Sequence, residues 1–416
     1  MRIKTTILLA AIITLFCGCM KEPDRSAYPQ EEFVMVFYGA GFNNLASDIK
    51  NNLDILKDGA IPYKNSKHKL LTFTHFSTSD TNFTDLTESH LVRITKDFGK
   101  VETDTLYTID RTRFATDPDV IQEVLEKVHQ LYPNARYGLV VSSHGTGWLP
   151  AGKYSSSSVI QFSGKKRNAG LPLYRYNEAE GEPRVKTFGA EVEVLNGQKV
   201  SRELSIQSMA AAIPIHLDYL LFDACLMGGI EVAYEFKDVA DKVAFSPTEV
   251  LTFGFDYTDI SSLIKDTPDI EAFCKRYYDY YDNRTGDQRS ATISVVKTDG
   301  LDALAAVCKR LFSTYRGAIA GLTSSSGVQR YYRSDHHWFF DLRDIVAKAM
   351  ASGEDLAELD NALNGCVTYK AATPYFLGLE IARYSGLSMY LPSVGDAEAD
   401  DFYKTLAWNK ATNLVE

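Results

Sequence analysis

The chain alternates short, continuously apolar runs with segments of helical periodicity. Phe33-Val34-Met35-Val36-Phe37-Tyr38 is apolar throughout and bounded by Gly39 and Gly41, the pattern of a strand buried on both faces and closed by a turn. Leu45, Ile49, Leu53 and Leu56 then recur at helical spacing and predict a helix over residues 45–56. Residues 70–76 predict a second strand. Asp117-Pro118-Asp119 opens a helix that runs to Leu131, with acidic side chains suited to its N-terminus. A strand over residues 137–143 delivers His144 at its C-terminal end, and a helix over 201–212 leads to a strand over 217–222 that delivers Asp223-Ala224-Cys225. Past residue 260 the pattern resumes with a helix over 270–281, a strand over 291–296, a helix over 301–315 and a buried strand over 386–392.

Strands alternating with helices predict an α/β fold, an α/β/α sandwich around a mostly parallel sheet covered on both faces. Residues 149–200 interrupt the alternation with polar sequence that includes Ser155 to Ser158 and Lys165-Lys166-Arg167. They form an inserted loop region, with a hairpin that turns at Asn196-Gly197. The chain is thereby divided into a core over 31–260 and a C-terminal α/β extension over 261–416 that packs on it. The tyrosines of Tyr277-Tyr278-Asp279-Tyr280-Tyr281 are expected to pack a helix.

Composition changes the picture at one end only. Among 416 residues, 44 Lys plus Arg against 54 Asp plus Glu leave a net charge of −10, which argues against nucleic acid as a partner. Arg2 and Lys4 precede an apolar stretch over residues 7–16 that is too short to span a bilayer comfortably. It ends in Cys17-Gly18-Cys19, which resembles the lipobox of bacterial lipoproteins. The expectation is a signal peptide over 1–18, a lipid on Cys19, a polar tether over 19–30, and an exported protein held at the outer membrane on its periplasmic face or at the cell surface. The folded part keeps Cys225, Cys274, Cys308 and Cys366, too few and too scattered for a disulfide framework.

Ligands collect outside the C-terminal ends of strands in open parallel sheets, and two reactive side chains fall there, His144 and Cys225. Gly145 and Gly147 follow the histidine and Gly228-Gly229 the cysteine, so backbone can approach a substrate closely. A helix expected to begin after Cys225 would favour thiolate, the attacking species. Read alone, Cys225 is also compatible with a small buried hydrophobe and His144 with a loop histidine. Ser142-Ser143-His144-Gly145-Thr146-Gly147-Trp148, with Phe222-Asp223-Ala224-Cys225-Leu226-Met227 and Glu231-Val232-Ala233-Tyr234-Glu235, resembles the two catalytic motifs of clostripain-type cysteine peptidases, relatives of caspases, gingipains and legumain. Asn43-Asn44-Leu45 and Gly386-Leu387-Ser388-Met389-Tyr390 extend the resemblance over residues 33–392.

The resemblance implies a caspase-like sandwich, Cys225 as nucleophile, His144 as general acid and base, the amides of Gly145 and Cys225 as an oxyanion hole, and no need for a third orienting residue. It also implies cleavage of protein or peptide substrates after Arg or Lys, with Asp223 at the base of the primary pocket and Glu249 or Asp256 as a second carboxylate. The likeness weakens over Ser246-Pro247-Thr248-Glu249-Val250-Leu251-Thr252. Self-cleavage between His144 and Cys225 is expected within residues 165–202, with Lys165, Lys166 and Arg167 as sites. No cofactor is required; the resemblance admits calcium, although no EF-hand-like loop is present. Asp335-His336-His337-Trp338 lacks the spacing of a metal site. The competing readings are a catalytically inactive, lipid-anchored binding protein of the same fold, and transpeptidation on the same pair of residues.

Overall fold

The apolar runs become the centre of one sheet. In the computed structural model, which describes residues 33–153, 159–160, 191–333 and 338–416, the first run forms β1 (Phe33–Gly41), buried along its whole length. There follow α1 (Ala46–Asp58), β2 (His68–Phe76), β3 (Ser89–Asp97), β4 (Lys100–Ile109), α2 (Pro118–Leu131) and β5 (Arg136–Ser142). Next come β6 (Val159–Ile160), β7 (Glu191–Leu195), β8 (Gln198–Arg202), α3 (Ile206–Ala212), β9 (Tyr219–Asp223), α4 (Ile230–Glu235) and β10 (Lys242–Phe245). The remainder adds α5 (Ile270–Asp282), β11 (Thr292–Lys297), α6 (Leu301–Thr314), α7 (Arg316–Ala320), β12 (Phe340–Asp341), α8 (Leu342–Lys348), α9 (Gly353–Cys366), β13 (Val367–Ala372), α10 (Ala397–Tyr403) and α11 (Ala407–Thr412).

Nine strands form the main sheet in the order β13-β11-β10-β9-β5-β1-β2-β3-β4. Its centre, β10-β9-β5-β1-β2, is parallel, and antiparallel strands extend both edges. Alternation along the strands assigns the two faces. Tyr38, Leu139, Val141 and Phe222 face α2 and α3, whereas Phe37 meets Tyr257 and, through the 255–257 segment, the aromatic side of α5. A Cβ on Gly39 would lie 3.1 Å from Ile49 of α1, so α1 covers that second face too. Helices thus cover both faces of a mostly parallel sheet, the caspase-like arrangement.

Local departures from the expected elements have local causes. The hairpin turns at Asn196-Gly197, where both residues adopt positive φ (51° and 77°), as a two-residue turn between β7 and β8 requires. Pairing of β8 continues through Arg202, so α3 starts late, capped by Ser205, whose Oγ accepts from the Ser208 N–H at 3.1 Å. The 386–392 run stays buried but makes only a two-residue strand, Ser388–Met389, against β12. The helix expected directly after Cys225 begins only at Ile230, because the chain turns at Cys225 and Leu226 and Gly229 then bridges to Ser388.

Candidate active site

The parallel register places the two motif residues side by side. Ser142 at the end of β5 pairs with Asp223 at the end of β9, so His144 and Cys225 leave the sheet two residues later on neighbouring strands. Glycines let the two segments touch. A Cβ on Gly145 would sit 2.4 Å from the Cys225 carbonyl oxygen, and one on Gly147, where φ is 60°, would sit 2.6 Å from the Leu226 carbonyl oxygen. Leu226 itself is held at φ 61°, a conformation rare for a side chain of this kind and typical of constrained functional turns. The turn is fixed from the other side, where the Leu226 N–H donates to the Thr248 carbonyl and the Gly228 N–H to the Ser246 carbonyl, both at 2.8 Å.

His144 has an oriented ring. Its Nε2 lies 2.7 Å from Asn44 Oδ1, at the turn between β1 and α1. The neighbouring Asn43 fixes that turn by donating to the Ala40 carbonyl (3.0 Å) and accepting from the Leu45 N–H (2.9 Å). A carbonyl acceptor at Nε2 favours the tautomer that carries its proton there, leaving Nδ1 the basic nitrogen. The resemblance required no orienting residue, yet Asn44 occupies that position; the Asn43-Asn44 pair was visible in the sequence, but the contact spans 100 positions.

Cys225 is fully buried beneath residues 246–251. Its Sγ accepts a hydrogen bond from the Val250 N–H at 3.1 Å and lies 3.7 Å from the Val250 carbonyl oxygen. With α4 beginning five residues downstream, the amide that faces the sulfur belongs to this covering loop and not to a helix N-terminus.

The three carboxylates named for the substrate pocket occupy different surroundings. Asp223 is buried and accepts from Ser142 Oγ (3.1 Å) and Tyr257 Oη (3.0 Å). Burial and the Asp223 carboxylate together hold the Tyr257 phenol well above its ordinary range. Glu249, also buried, forms a two-pronged pair with Arg333, Nε to Oε2 at 2.7 Å and Nη2 to Oε1 at 3.2 Å. Asp256 pairs with Arg276 at 2.8 Å; burial raises its carboxyl, but bonds from Thr258 and Arg276 outweigh this and hold it below the usual carboxylate range. Glu249 and Asp256 are therefore each engaged by an arginine of the chain itself.

A cavity of about 90 Å³ opens beside His144 and Gly145, lined by Leu139, Val141, Ile206 and Phe222 on the α2 and α3 face, opposite to Asp223. Lys165, Lys166, Arg167, Cys19, Asp335, His336 and His337 lie outside the described residues. Among the described residues no three His, Cys, Asp or Glu side chains cluster as a metal site, and no helix is long and apolar enough to cross a membrane. Cys225, Cys274, Cys308 and Cys366 are all unbridged and buried.

Comparison with known proteins agrees with this geometry. A model of the clostripain family matches residues 197–413, a little over half of the chain. No curated protein matches. An inactive zymogen C11 protease from Parabacteroides distasonis superposes with a TM-score of 0.72 at 27% identity, covering 92% of this chain and 99% of that one. Iotapain, a secreted C11 cysteine protease from Bacteroides thetaiotaomicron, follows with a TM-score of 0.69 at 25% identity, covering 92% and 100%. A secreted C11 cysteine protease from the same species, solved with an irreversible peptide inhibitor, has the same fold (TM-score 0.69, 21% identity, 92% and 99% coverage). The chain belongs to the clostripain family and is a cysteine-type peptidase.

Proposed function

We propose that the chain cleaves peptide bonds on the carboxyl side of Arg or Lys through Cys225 and His144. The observation that carries this reading is the seating of Gly145 against the Cys225 carbonyl, which brings the histidine loop onto the cysteine turn at the ends of two parallel strands. The Cys225 sulfur attacks the scissile carbonyl as thiolate, and the amides of Gly145 and Cys225 hold the oxyanion. His144, oriented by Asn44, protonates the departing amine; water, deprotonated by the same ring, then releases the acid and restores the thiol. Asp223 supplies the negative charge for the substrate cation.

Burial of the Cys225 sulfur under Val250 supports a latent form, in which residues 246–251 must shift before substrate reaches the nucleophile. The Parabacteroides relative was itself crystallised as an inactive zymogen. Self-cleavage at Lys165, Lys166 or Arg167 is the maturation step proposed here. The cover is a loop held by backbone hydrogen bonds, and both reactive side chains are in place, which favours latency over a binding protein that has lost its site. Export with a lipid on Cys19, at the outer membrane, completes the reading; Iotapain, a relative, is secreted.

Incubation of the full chain with fluorogenic peptides ending in Arg, Lys, Asn or Asp tests the proposal. Turnover after Arg or Lys is expected, lost in Cys225→Ala, with Asp223→Asn lowering kcat/KM on those substrates by about 100-fold through loss of the buried charge. On denaturing gels the wild type is expected to split into two fragments and Cys225→Ala to stay whole. Turnover confined to Asn or Asp peptides would overturn the role of Asp223.

A further inference from the structure

Glu231 follows Cys225 by six positions, lies on α4, and is wholly buried. One of its oxygens, Oε1, accepts from the Tyr390 N–H and from Tyr403 Oη, each at 2.8 Å, while Oε2 has no hydrogen-bond partner among the described residues. A lone buried carboxylate is costly unless something requires it there. Its two donors lead to the other half of the site. Tyr390 and Tyr403 pack on each other (5.0 Å between ring centroids) and both pack on Trp148, at 4.7 and 5.0 Å. Trp148, fully buried, ends the His144-Gly145-Thr146-Gly147-Trp148 loop. The Ser388–Met389 strand that leads into Tyr390 is tied to the cysteine turn, for the Ser388 N–H donates to the Gly228 carbonyl at 2.9 Å.

We propose that Glu231 is a positioning residue that keeps the Cys225 turn and the His144 loop in one register, acting through Tyr390, Tyr403 and Trp148. The proposal rests on the assignment of Cys225 and His144 to catalysis given above. Glu231 touches neither reacting group and is not catalytic itself. Burial with no cation from the described residues bonded to it favours the neutral carboxyl, while the two donors on Oε1 favour the carboxylate. Burial pushes the group up to about 7, against the opposing effect of its hydrogen bonds, so its charge changes near neutral pH.

The titratable groups around the cluster are the Tyr390 and Tyr403 phenols themselves, the Cys308 thiol of α6 that acts on Tyr403, and Asp400, which accepts from Tyr390 Oη at 2.8 Å. Beyond them stand Asp396 and Glu398, paired with Lys153 at 2.7 and 2.8 Å, and, on α4, Glu235, which accepts from the Ala407 N–H. The phenols of Tyr390 and Tyr403 are themselves pushed upward by burial, so across neutral pH Glu231 is the member of the contacting trio that ionises. Ionisation puts a charge where only one oxygen is satisfied, and the register is expected to loosen.

The test measures kcat and KM of the full chain from about pH 5.5 to about pH 8.5 for wild type, Glu231→Gln and Glu231→Ala. Glutamine keeps the acceptor oxygen and cannot ionise. The kcat ratio of Glu231→Gln to wild type is expected to rise by about 3-fold or more through a midpoint near 7, at constant KM. Glu231→Ala is expected to lose on the order of 10-fold or more in kcat at every pH, since small misplacements of reacting groups are costly. A ratio that is flat with pH overturns the proposal, because a merely structural carboxylate would lower folding stability without that pH signature. Cys225→Ala, run alongside, separates the two readings: residual turnover there would overturn the assignment of the nucleophile, whereas an inactive Cys225→Ala with a flat ratio overturns only the role of Glu231.

Discussion

Residues 223–231 and residues 246–257 face each other across the Cys225 sulfur, and they are held by different means. The first segment is fixed by backbone geometry: a strand end in register with β5, a leucine at positive φ, and glycines at 145, 147 and 228 where no Cβ fits. The second shares the backbone hydrogen bonds at Ser246 and Thr248 with the first, and it is held in addition through side chains that pair with other parts of the chain, Glu249 with Arg333 and Asp256 with Arg276. Backbone constraint leaves the reacting groups little freedom. Side-chain ion pairs can open without breaking the backbone. On the function proposed above, the contrast separates a rigid centre, where bonds break, from a cover that decides access.

The largest effect should come from the rigid centre. His144→Ala removes the proposed acid and base and is expected to lower kcat by about 10³-fold while leaving the melting temperature nearly unchanged, because the ring is partly exposed. Circular dichroism and steady-state kinetics check this together. A loss of stability comparable to the loss of activity would instead make His144 a packing residue and erase the contrast.

The next effect belongs to the cover. Arg333→Ala leaves Glu249, itself 1% exposed at the side chain, as a buried carboxylate without its bidentate partner, at a cost of about 3 to 5 kcal/mol in stability. Since Glu249 adjoins Val250, the amide over the sulfur, the same substitution is expected to speed alkylation of Cys225 by iodoacetamide in the latent chain. Arg333→Lys keeps the charge, loses the two-pronged geometry, and should fall between. Equal alkylation rates in all three folded proteins would mean that backbone contacts alone hold the cover, and that the two segments do not differ as described.

The same contrast explains what could be read in the sequence. Strands β1, β5 and β9 were legible because both faces are buried and the runs are continuously apolar, and the turn Asn196-Gly197 because its backbone demands those residues. The β3 and β4 edge was not, since its strands mix buried and exposed positions without clean alternation and carry a register shift at Leu91 and Val92. His144 and Cys225 were legible as motifs at strand ends. Asn44 and Glu231 were present within quoted motifs, but their partners lie 100 and more than 150 positions away and no local periodicity announces them. Glu249 and Asp256 were named as a second pocket carboxylate through the resemblance, in a stretch where the likeness weakens, and the arginines that engage them are likewise remote or unpatterned.

The smallest effect sits at the junction of the two regimes. Asn44 is an exposed side chain on a turn whose backbone Asn43 fixes, so Asn44→Ala should leave the fold intact and free the His144 ring to rotate and exchange tautomers. Oriented imidazole is worth less here than the imidazole itself, and a drop in kcat of about 10-fold with unchanged KM is expected. A loss carried by KM would assign Asn44 to substrate contact; no loss at all would mean that the glycine-locked backbone by itself sets the histidine, extending the rigid centre one step further than the hydrogen bond suggests.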